Sequence, residues 1–350
     1  MQYRKKGINM AERKTVSREC IQKDVFMIMC HKNSSQVLRL AKICITEHSD
    51  VIVHADSEMS HEDFALLDEF AKNNSQFFLT NSRLHGELDK ESLVHIVMEM
   101  VRTAKQCQQK NSCHYRYFCL LSGQDYLIKP HTYITDELSK NYPKPFINCS
   151  LYDKNRWMYK KFRWNTFTNK IRLKIDEKFC NKRNPIRITL MVLLLFLTKI
   201  MHFVLPSIYH QIKKQGAEVY CGSAWWILPD VAIDYIYDEY KKETRLVRLI
   251  LQSITPEESF FQIMVMCSPV KDLIDVNTKE RIDPNCKTWS YFSDDDKPPS
   301  SHPYIFTVNE FHKLVKSDKW IARKFDDSVD EIILDMLDDY YKHVTANNRK

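Results

Sequence analysis

The residues best suited to chemistry lie in Thr255-Pro256-Glu257-Glu258-Ser259-Phe260-Phe261-Gln262. Two adjacent carboxylates follow a proline and lead into an apolar run. One reading is a helix start. Proline suits the first helical position, Thr255 can cap it, and acids favour the positive end of the helix dipole. The other reading makes one carboxylate a general base beside a substrate cleft. Three more polar groups follow apolar runs: His31 after residues 25–30, Asp56 after 51–55, and Asp125 after 117–121. Short continuous apolar runs suit strands buried on both faces of a parallel sheet. Ligands of such sheets bind beyond the carboxyl ends of the strands, so His31 and Asp56 stand where a ligand would be. Asp125, in Ser122-Gly123-Gln124-Asp125, can equally be a turn or cap residue.

Composition narrows the chemistry. The chain has 350 residues, 44% hydrophobic and 12% aromatic, which predicts a real core rather than disorder. With only 5 glycines there is no glycine-rich phosphate loop, which argues against dinucleotide and P-loop enzymes. The net charge of +7 suits an anionic partner, but acids and bases are interleaved. Nucleic acid would need a concentrated basic stripe with aromatics, and none is present. A sugar nucleotide needs only one or two bases for its diphosphate, and an anionic membrane surface is a third option. The 11 cysteines are odd in number and form no CxxC, so neither a zinc ribbon nor a redox pair is indicated. Residues 1–23 are polar and charged, with no secretory signal, so a reduced, cytoplasmic setting is expected.

The elements that must position these groups follow from periodicity. Strands at 25–30 and 51–56 flank a helix at 37–45, a βαβ unit. Helices at 61–73 and 92–108 and strands at 77–79 and 117–121 continue the pattern. The stretch 156–164 is basic and aromatic. Further on come a strand before Pro229, helices at 230–240, 309–317 and 328–343, and a late strand at 304–308. Residues 188–205, from Ile188 to Leu205, are the most apolar stretch, interrupted by Thr198, Lys199 and His202. Bases flank it: Lys182, Arg183 and Arg187 before, Lys213 and Lys214 after. A bilayer span needs about 20 apolar residues, so this segment reads either as a core or lid helix or as a helix lying in the membrane interface. The expected organisation is a polar lead-in, 1–23, and one α/β domain, 24–350, with an apolar helical insertion near 185–215.

Taken in order, these blocks resemble the core-2/I-branching β-1,6-N-acetylglucosaminyltransferase family, which includes the peptide O-xylosyltransferases and bacterial members. The resemblance covers roughly residues 24–345. It rests on the strand through Ile28 into His31-Lys32, on Val53-His54-Ala55-Asp56, and on Leu121-Ser122-Gly123-Gln124-Asp125-Tyr126. It continues through Arg156-Trp157, Gly222-Ser223-Ala224-Trp225, Thr255-Pro256-Glu257-Glu258 and Ala322-Arg323-Lys324-Phe325-Asp326. Each block is weak alone; the ordered set is specific.

The resemblance implies a GT-A-type glycosyltransferase fold, with a mixed, mainly parallel central sheet flanked by helices, and inverting transfer from a UDP-sugar. It makes Glu258 the base, with Glu257 beside it on the acceptor side. It assigns Ile28, His31, Asp56, Asp125, Gly222, Ser223, Arg323 and Lys324 to the nucleotide-sugar side, with Lys324 on the diphosphate. Arg156, Trp289 and Tyr291 match acceptor-side positions. A bacterial-type enzyme of surface-polysaccharide synthesis is expected, moving GlcNAc to a glycan or lipid-linked glycan acceptor. It would be cytoplasmic, with 188–205 as a peripheral contact at the inner face of the cell membrane. The alternative is a catalytically silent relative that binds a glycan or membrane partner.

The chemistry is coherent by itself. Inverting transfer needs one carboxylate to deprotonate the attacking hydroxyl and positive charge on the departing diphosphate. Asp56 lacks the second acid of an Asp-x-Asp metal motif, and the acids 294–296 sit in a proline-rich loop. No cofactor or metal is therefore expected, with Lys324 and Arg323 supplying the charge. The family's second basic residue falls near Ser301, where His302 and Lys297 are the neighbouring candidates, and its Trp-Gly region falls at 88–90, which holds no Trp. These departures bear on the donor sugar.

Overall fold

The apolar runs do form strands, and their pairing explains their composition. The computed structural model describes residues 21–87, 90–151, 159–179, 181, 183–201, 204–276, 285–292, 300 and 302–347. The chain begins β1 (Ile21–Cys30), α1 (Ser34–Cys44), β2 (Ser49–Ala55), α2 (His61–Asn73), β3 (Phe77–Leu79), α3 (Ser92–Asn111), β4 (Cys113–Ser122) and β5 (Asp125–Leu127). It continues α4 (His131–Asn141), β6 (Phe146–Ile147), β7 (Ser150–Leu151), α5 (Tyr159–Phe162), α6 (Thr166–Lys178), α7 (Pro185–Met201) and α8 (Ile208–Lys214). After these come β8 (Tyr220–Cys221), β9 (Trp226–Pro229), α9 (Asp230–Lys241), α10 (Arg245–Leu251) and α11 (Phe260–Val265). The last elements are β10 (Thr288–Ser290), α12 (Phe311–Lys316), β11 (Ile321–Arg323) and α13 (Ile332–Asn347).

The central sheet is mixed, in the order β3-β2-β1-β4-β9-β6. Strands β3, β2, β1 and β4 run parallel; β9 is antiparallel to both β4 and β6. Side chains alternate along β1. Val25 and Met27 enter one core cluster with residues of α3, α9 and α11, while Phe26 and Ile28 enter the other with residues of α1. Both faces are covered, so the middles of these strands, residues 25–28 and 51–53, are apolar. Each fully buried aliphatic side chain stabilises the fold by about 1.5–3 kcal/mol. The nine described cysteines are free thiols, all but Cys267 buried, and several fill this core.

Two small sheets complete the fold: β10-β11-β5, and β7 with β8. In the first, β11 pairs antiparallel with β5, setting Arg323 opposite Asp125.

Four expectations change. Residues 304–307 form no strand, because their backbone divides its bonds between two partners. The Tyr304 N–H donates to the Tyr291 carbonyl, while Phe306 N–H donates to Lys324 O and Tyr304 O accepts from Lys324 N–H. The helix placed at 309–317 begins as a 3-10 turn, Val308–Glu310, closed by a Thr307/Glu310 capping box. The last helix starts four residues late, because Asp330 caps it by accepting from Ile333 N. Finally, α7 is not a core helix: Leu194 and Thr198 are its buried residues, and much of its apolar surface is exposed. Among the described residues, no helix is long and apolar enough to cross a membrane.

Candidate active site

The carboxyl ends of the parallel strands lie level. Cys30 pairs with Ala55, and Met29 with Ser122. The residues that follow, His31, Asp56 and the loop 122–125, therefore share one edge. Backbone bonds lock them: Asp56 N–H donates to Cys30 O at 2.8 Å, and Gly123 N–H to Met29 O at 2.8 Å.

Asp56 is 7% exposed and firmly held. One carboxylate oxygen accepts from Glu58 N–H (2.9 Å) and His85 Nδ1 (3.0 Å), the other from Gly86 N–H (2.7 Å). Burial alone would raise its pKa; the bonds from His85, Glu58 and Gly86 outweigh it and hold the carboxyl below its ordinary value. Arg83 clamps the same loop from behind, donating to Asp56 O at 2.7 Å and to Met59 O at 3.2 Å. Beside it, burial and the ammonium of Lys32 push the imidazole of His31 below its usual value, against the pull of Asp56; Lys324 adds to the push.

The basic side is built by β11 against β5. Asp125 is fully buried and accepts from Ser122 N–H and Ser122 Oγ, each at 2.8 Å. Its oxygen also lies 3.1 Å from Arg323 Nε. In this position the carboxylate holds the 122–125 loop and faces Arg323. Ile28, also matched to the nucleotide side, has 0% exposure and packs in the core. Lys324 is half-buried, and among the described residues its ammonium has no ion-pair partner. Burial, Arg323 and Lys32 push its pKa below the ordinary lysine range. A crowded, partly desolvated ammonium of this kind suits an incoming anion. Lys32 is exposed and pairs with Asp326 at 3.0 Å.

The segment from Gly222 to Trp225 joins this basic side to the carboxylate pair. The Trp225 ring lies under the Arg323 guanidinium, 4.1 Å to its centre. Gly222 N–H donates to Glu258 O at 2.9 Å, and Gln262 Nε2 donates to Ser223 O at 2.7 Å. A Cβ on Gly222 would stand 1.9 Å from the Asn148 carbonyl, so only glycine permits this approach. Ser223 Oγ accepts from Trp225 N–H at 3.3 Å.

The carboxylates sit in a 3-10 turn, Pro256–Glu258, rather than at an α-helix start. Thr255 is left-handed (φ 52°) and does not cap; its hydroxyl donates to Ile254 O at 2.7 Å. Proline leaves Thr255 little room in the α region, and α11 begins only at Phe260. The Glu258 carboxylate is partly exposed and forms an ion pair with the buried Lys161. Glu257 lies beside it with one carboxylate oxygen buried.

The acceptor-side assignments divide. Tyr291 is buried, its ring stacked on Phe306 at 4.7 Å, so it is a core residue. Trp289 is partly exposed and packs edge-on against Phe306. Arg156, Lys297, Ser301, the acids 294–296 and the positions 88–89 lie outside the described residues; His302 is exposed. Among the described residues no cluster of three His, Cys, Asp or Glu could hold a metal.

Sequence reasoning missed Lys161, His85, Gly86 and Arg83. Lys161 lies in the basic, aromatic stretch that drew notice, but its partner is 97 residues away. Gly86 had a signal: it is one of only 5 glycines. A Cβ there would stand 3.0 Å from Leu93 Cδ2, so glycine lets its N–H reach Asp56.

Against known proteins, no family model matches the chain. Similar sequences exist. A zebrafish (Danio rerio) beta-1,3-galactosyl-O-glycosyl-glycoprotein beta-1,6-N-acetylglucosaminyltransferase 4 is 20% identical over 92% of this chain and 70% of its own length. Its mouse (Mus musculus) counterpart is 21% identical over 93% of this chain and 67% of its own. The similarity supports the branching-enzyme family. A thale-cress (Arabidopsis thaliana) beta-glucuronosyltransferase, GlcAT14B, is 28% identical over 122 residues, covering 35% of this chain and 25% of the relative. All three relatives are named glycosyltransferases, which makes glycosyl transfer the plausible activity here. Their names carry two different donor sugars, so donor identity does not follow from them.

Proposed function

We propose that this chain is an inverting glycosyltransferase of GT-A type that moves a sugar from a UDP-sugar to a hydroxyl of a glycan acceptor. The observation that carries the reading is the strip from Gly222 to Trp225. It ties the Glu258 backbone at one end to the Arg323 guanidinium at the other. A carboxylate for the attacking hydroxyl and cations for the departing diphosphate are thereby held by one rigid segment.

In this reading Glu258 takes the proton of the acceptor hydroxyl as it attacks the anomeric carbon. Lys161 fixes the orientation of that carboxylate. Asp56, its donors already in place, uses its remaining acceptor capacity on the nucleoside. Lys324 meets the diphosphate, with Arg323 and Lys32 adding charge, and no metal is required for this step. Asp125 is a positioning residue through Arg323. UDP-GlcNAc is the first donor to test and a glycan hydroxyl the acceptor; a cytoplasmic enzyme of surface-glycan synthesis fits both.

The test is release of UDP from a panel of UDP-sugars in EDTA, with and without Glu258→Gln. We expect turnover in EDTA and a loss in kcat of about 10²–10⁴-fold in the variant, with UDP affinity kept. An active Glu258→Gln enzyme removes the base assignment. Loss of turnover in EDTA that Mn²⁺ restores removes metal independence. No UDP binding by the wild type leaves a silent glycan-binding relative.

A further inference from the structure

Helix α7 presents an unusual surface. It turns Val192, Leu193, Phe196, Leu197 and Ile200 outward, and Phe196 is 65% exposed. Just past its end Val204 is 81% exposed. Exposed apolar side chains scattered singly are normal, but a contiguous stripe on one helix marks a surface that meets something apolar. At 1.5 Å per residue its 17 residues reach about 25 Å, short of the ~30 Å hydrocarbon core of a bilayer.

The surroundings of that stripe identify the partner. Residues 166–214 carry ten Lys and Arg against two Asp and Glu, a net +8 in a chain whose total is +7. One of the two acids is neutralised: Asp176 accepts from Arg172 at 2.9 Å and from Arg187 at 2.6 Å, which pins α6 to α7. On α6 the exposed residues Phe167, Lys170, Lys174 and Lys178 recur at helical spacing and so form one stripe. Lys199 is exposed on α7 itself, Arg183 just before it and Lys214 on α8. An apolar stripe collared by lysines and arginines has the chemistry of a helix lying in the headgroup layer of an anionic membrane. A second copy of this chain would bring like charges together around the stripe.

We propose that α6 and α7 dock this protein on an anionic lipid surface, with α7 lying in the membrane interface and the lysines of α6 on the lipid headgroups. The docking segment sits in the chain between Lys161 and Gly222, the two residues that hold Glu258. Local bonds tie it to that region. Ile208 N–H donates to Trp164 O at 2.7 Å, and Asn169 Nδ2 to Gln252 O at 2.6 Å.

Vesicle flotation tests this without reference to any catalytic activity. Wild-type protein should float with phosphatidylcholine–phosphatidylglycerol vesicles at low salt, less at high salt, and weakly with phosphatidylcholine alone. The variant Leu193→Ser/Phe196→Ser/Ile200→Ser should lose anionic-vesicle binding by at least about tenfold. Lys170→Gln/Lys174→Gln/Lys178→Gln should lose about fivefold per lysine in close contact, and lose the preference for phosphatidylglycerol. Because these positions are exposed, both variants should melt at the wild-type temperature. The proposal is overturned if wild type does not float, or if the serine variant floats as well as wild type. It is also overturned if sedimentation shows a dimer that Phe196→Ser dissociates, since a second copy would then cover the stripe.

Discussion

Two runs of the chain are almost equally apolar and have opposite fates. Residues 25–30 form the end of β1, with Val25, Phe26, Met27 and Ile28 at 0% exposure. Residues 190–197 form the middle of α7, where Val192 and Leu193 are each 59% exposed. The first run has a parallel strand on either side and a helical layer on each face. The second lies in a helix that contacts α6 and buries only Leu194 and Thr198. Hydrophobicity is therefore a statement about what a segment will cover, not about where it sits. In β1 the cover comes from this chain; the outward side of α7 is left exposed, and the membrane docking proposed above would cover it.

The largest expected effect tests this directly. Ile28→Ala should cost about 2–5 kcal/mol in denaturant unfolding, because it opens a cavity in a fully packed core. Leu193→Ala should change stability by no more than about 0.5 kcal/mol. A cost for Leu193→Ala comparable to that of Ile28→Ala would make α7 part of the core. The same pair sharpens a site assignment, since Ile28 matched a nucleotide-side position. A loss of stability with UDP affinity unchanged keeps it in the core.

A smaller effect concerns acid. His131 leans on Phe26 of the buried run, ring centres 5.5 Å apart, and its Nε2 lies 3.0 Å from Ser49 Oγ. Burial, with a minor push from His48, lowers its pKa to about 4. The folded state therefore holds this imidazole neutral, while the unfolded chain protonates it near 6.5. Its contribution is fully present above pH 6.5 and is lost as pH falls through about 4. The difference amounts to no more than about 3 kcal/mol. His131→Gln should flatten the stability–pH curve in that window, measured by urea titration at several pH values. An unchanged curve would show that His131 is open to water and that β1 is less well covered at this end.

How much could be read in advance follows the same division. Strands β1, β2 and β4 and helices α2, α3 and α9 were legible, because burial on both faces or one leaves a periodic record. The ordered blocks brought out Asp56, Gly222, Glu258 and Lys324, which the fold places at one strand edge or along one strip. Bonds between distant residues leave no such record. Lys161 on Glu258 and His85 with Gly86 on Asp56 depend on tertiary approach alone. Asp125 shows the converse. Its motif singled it out, but spacing could not show that its carboxylate is buried against Arg323.

The smallest effect lies where local rules were broken. Thr255 is β-branched, precedes proline and yet holds φ 52°, a conformation that costs an ordinary residue about 1–2 kcal/mol. Local sequence preference would make it a helix cap; the fold instead uses it to turn the chain sharply before the 3-10 turn that carries Glu258. Strain kept at such a point is consistent with a functional demand on the next few residues. Thr255→Gly should relieve it and raise stability by up to about 1 kcal/mol, the gain being reduced by the extra freedom of the unfolded chain. If the strain serves Glu258, the same variant should turn over UDP-sugar more slowly than wild type despite melting higher. A variant that is both more stable and fully active would make Thr255 a tolerated defect, and would leave Lys161 and Gly222 as the residues that set the carboxylate.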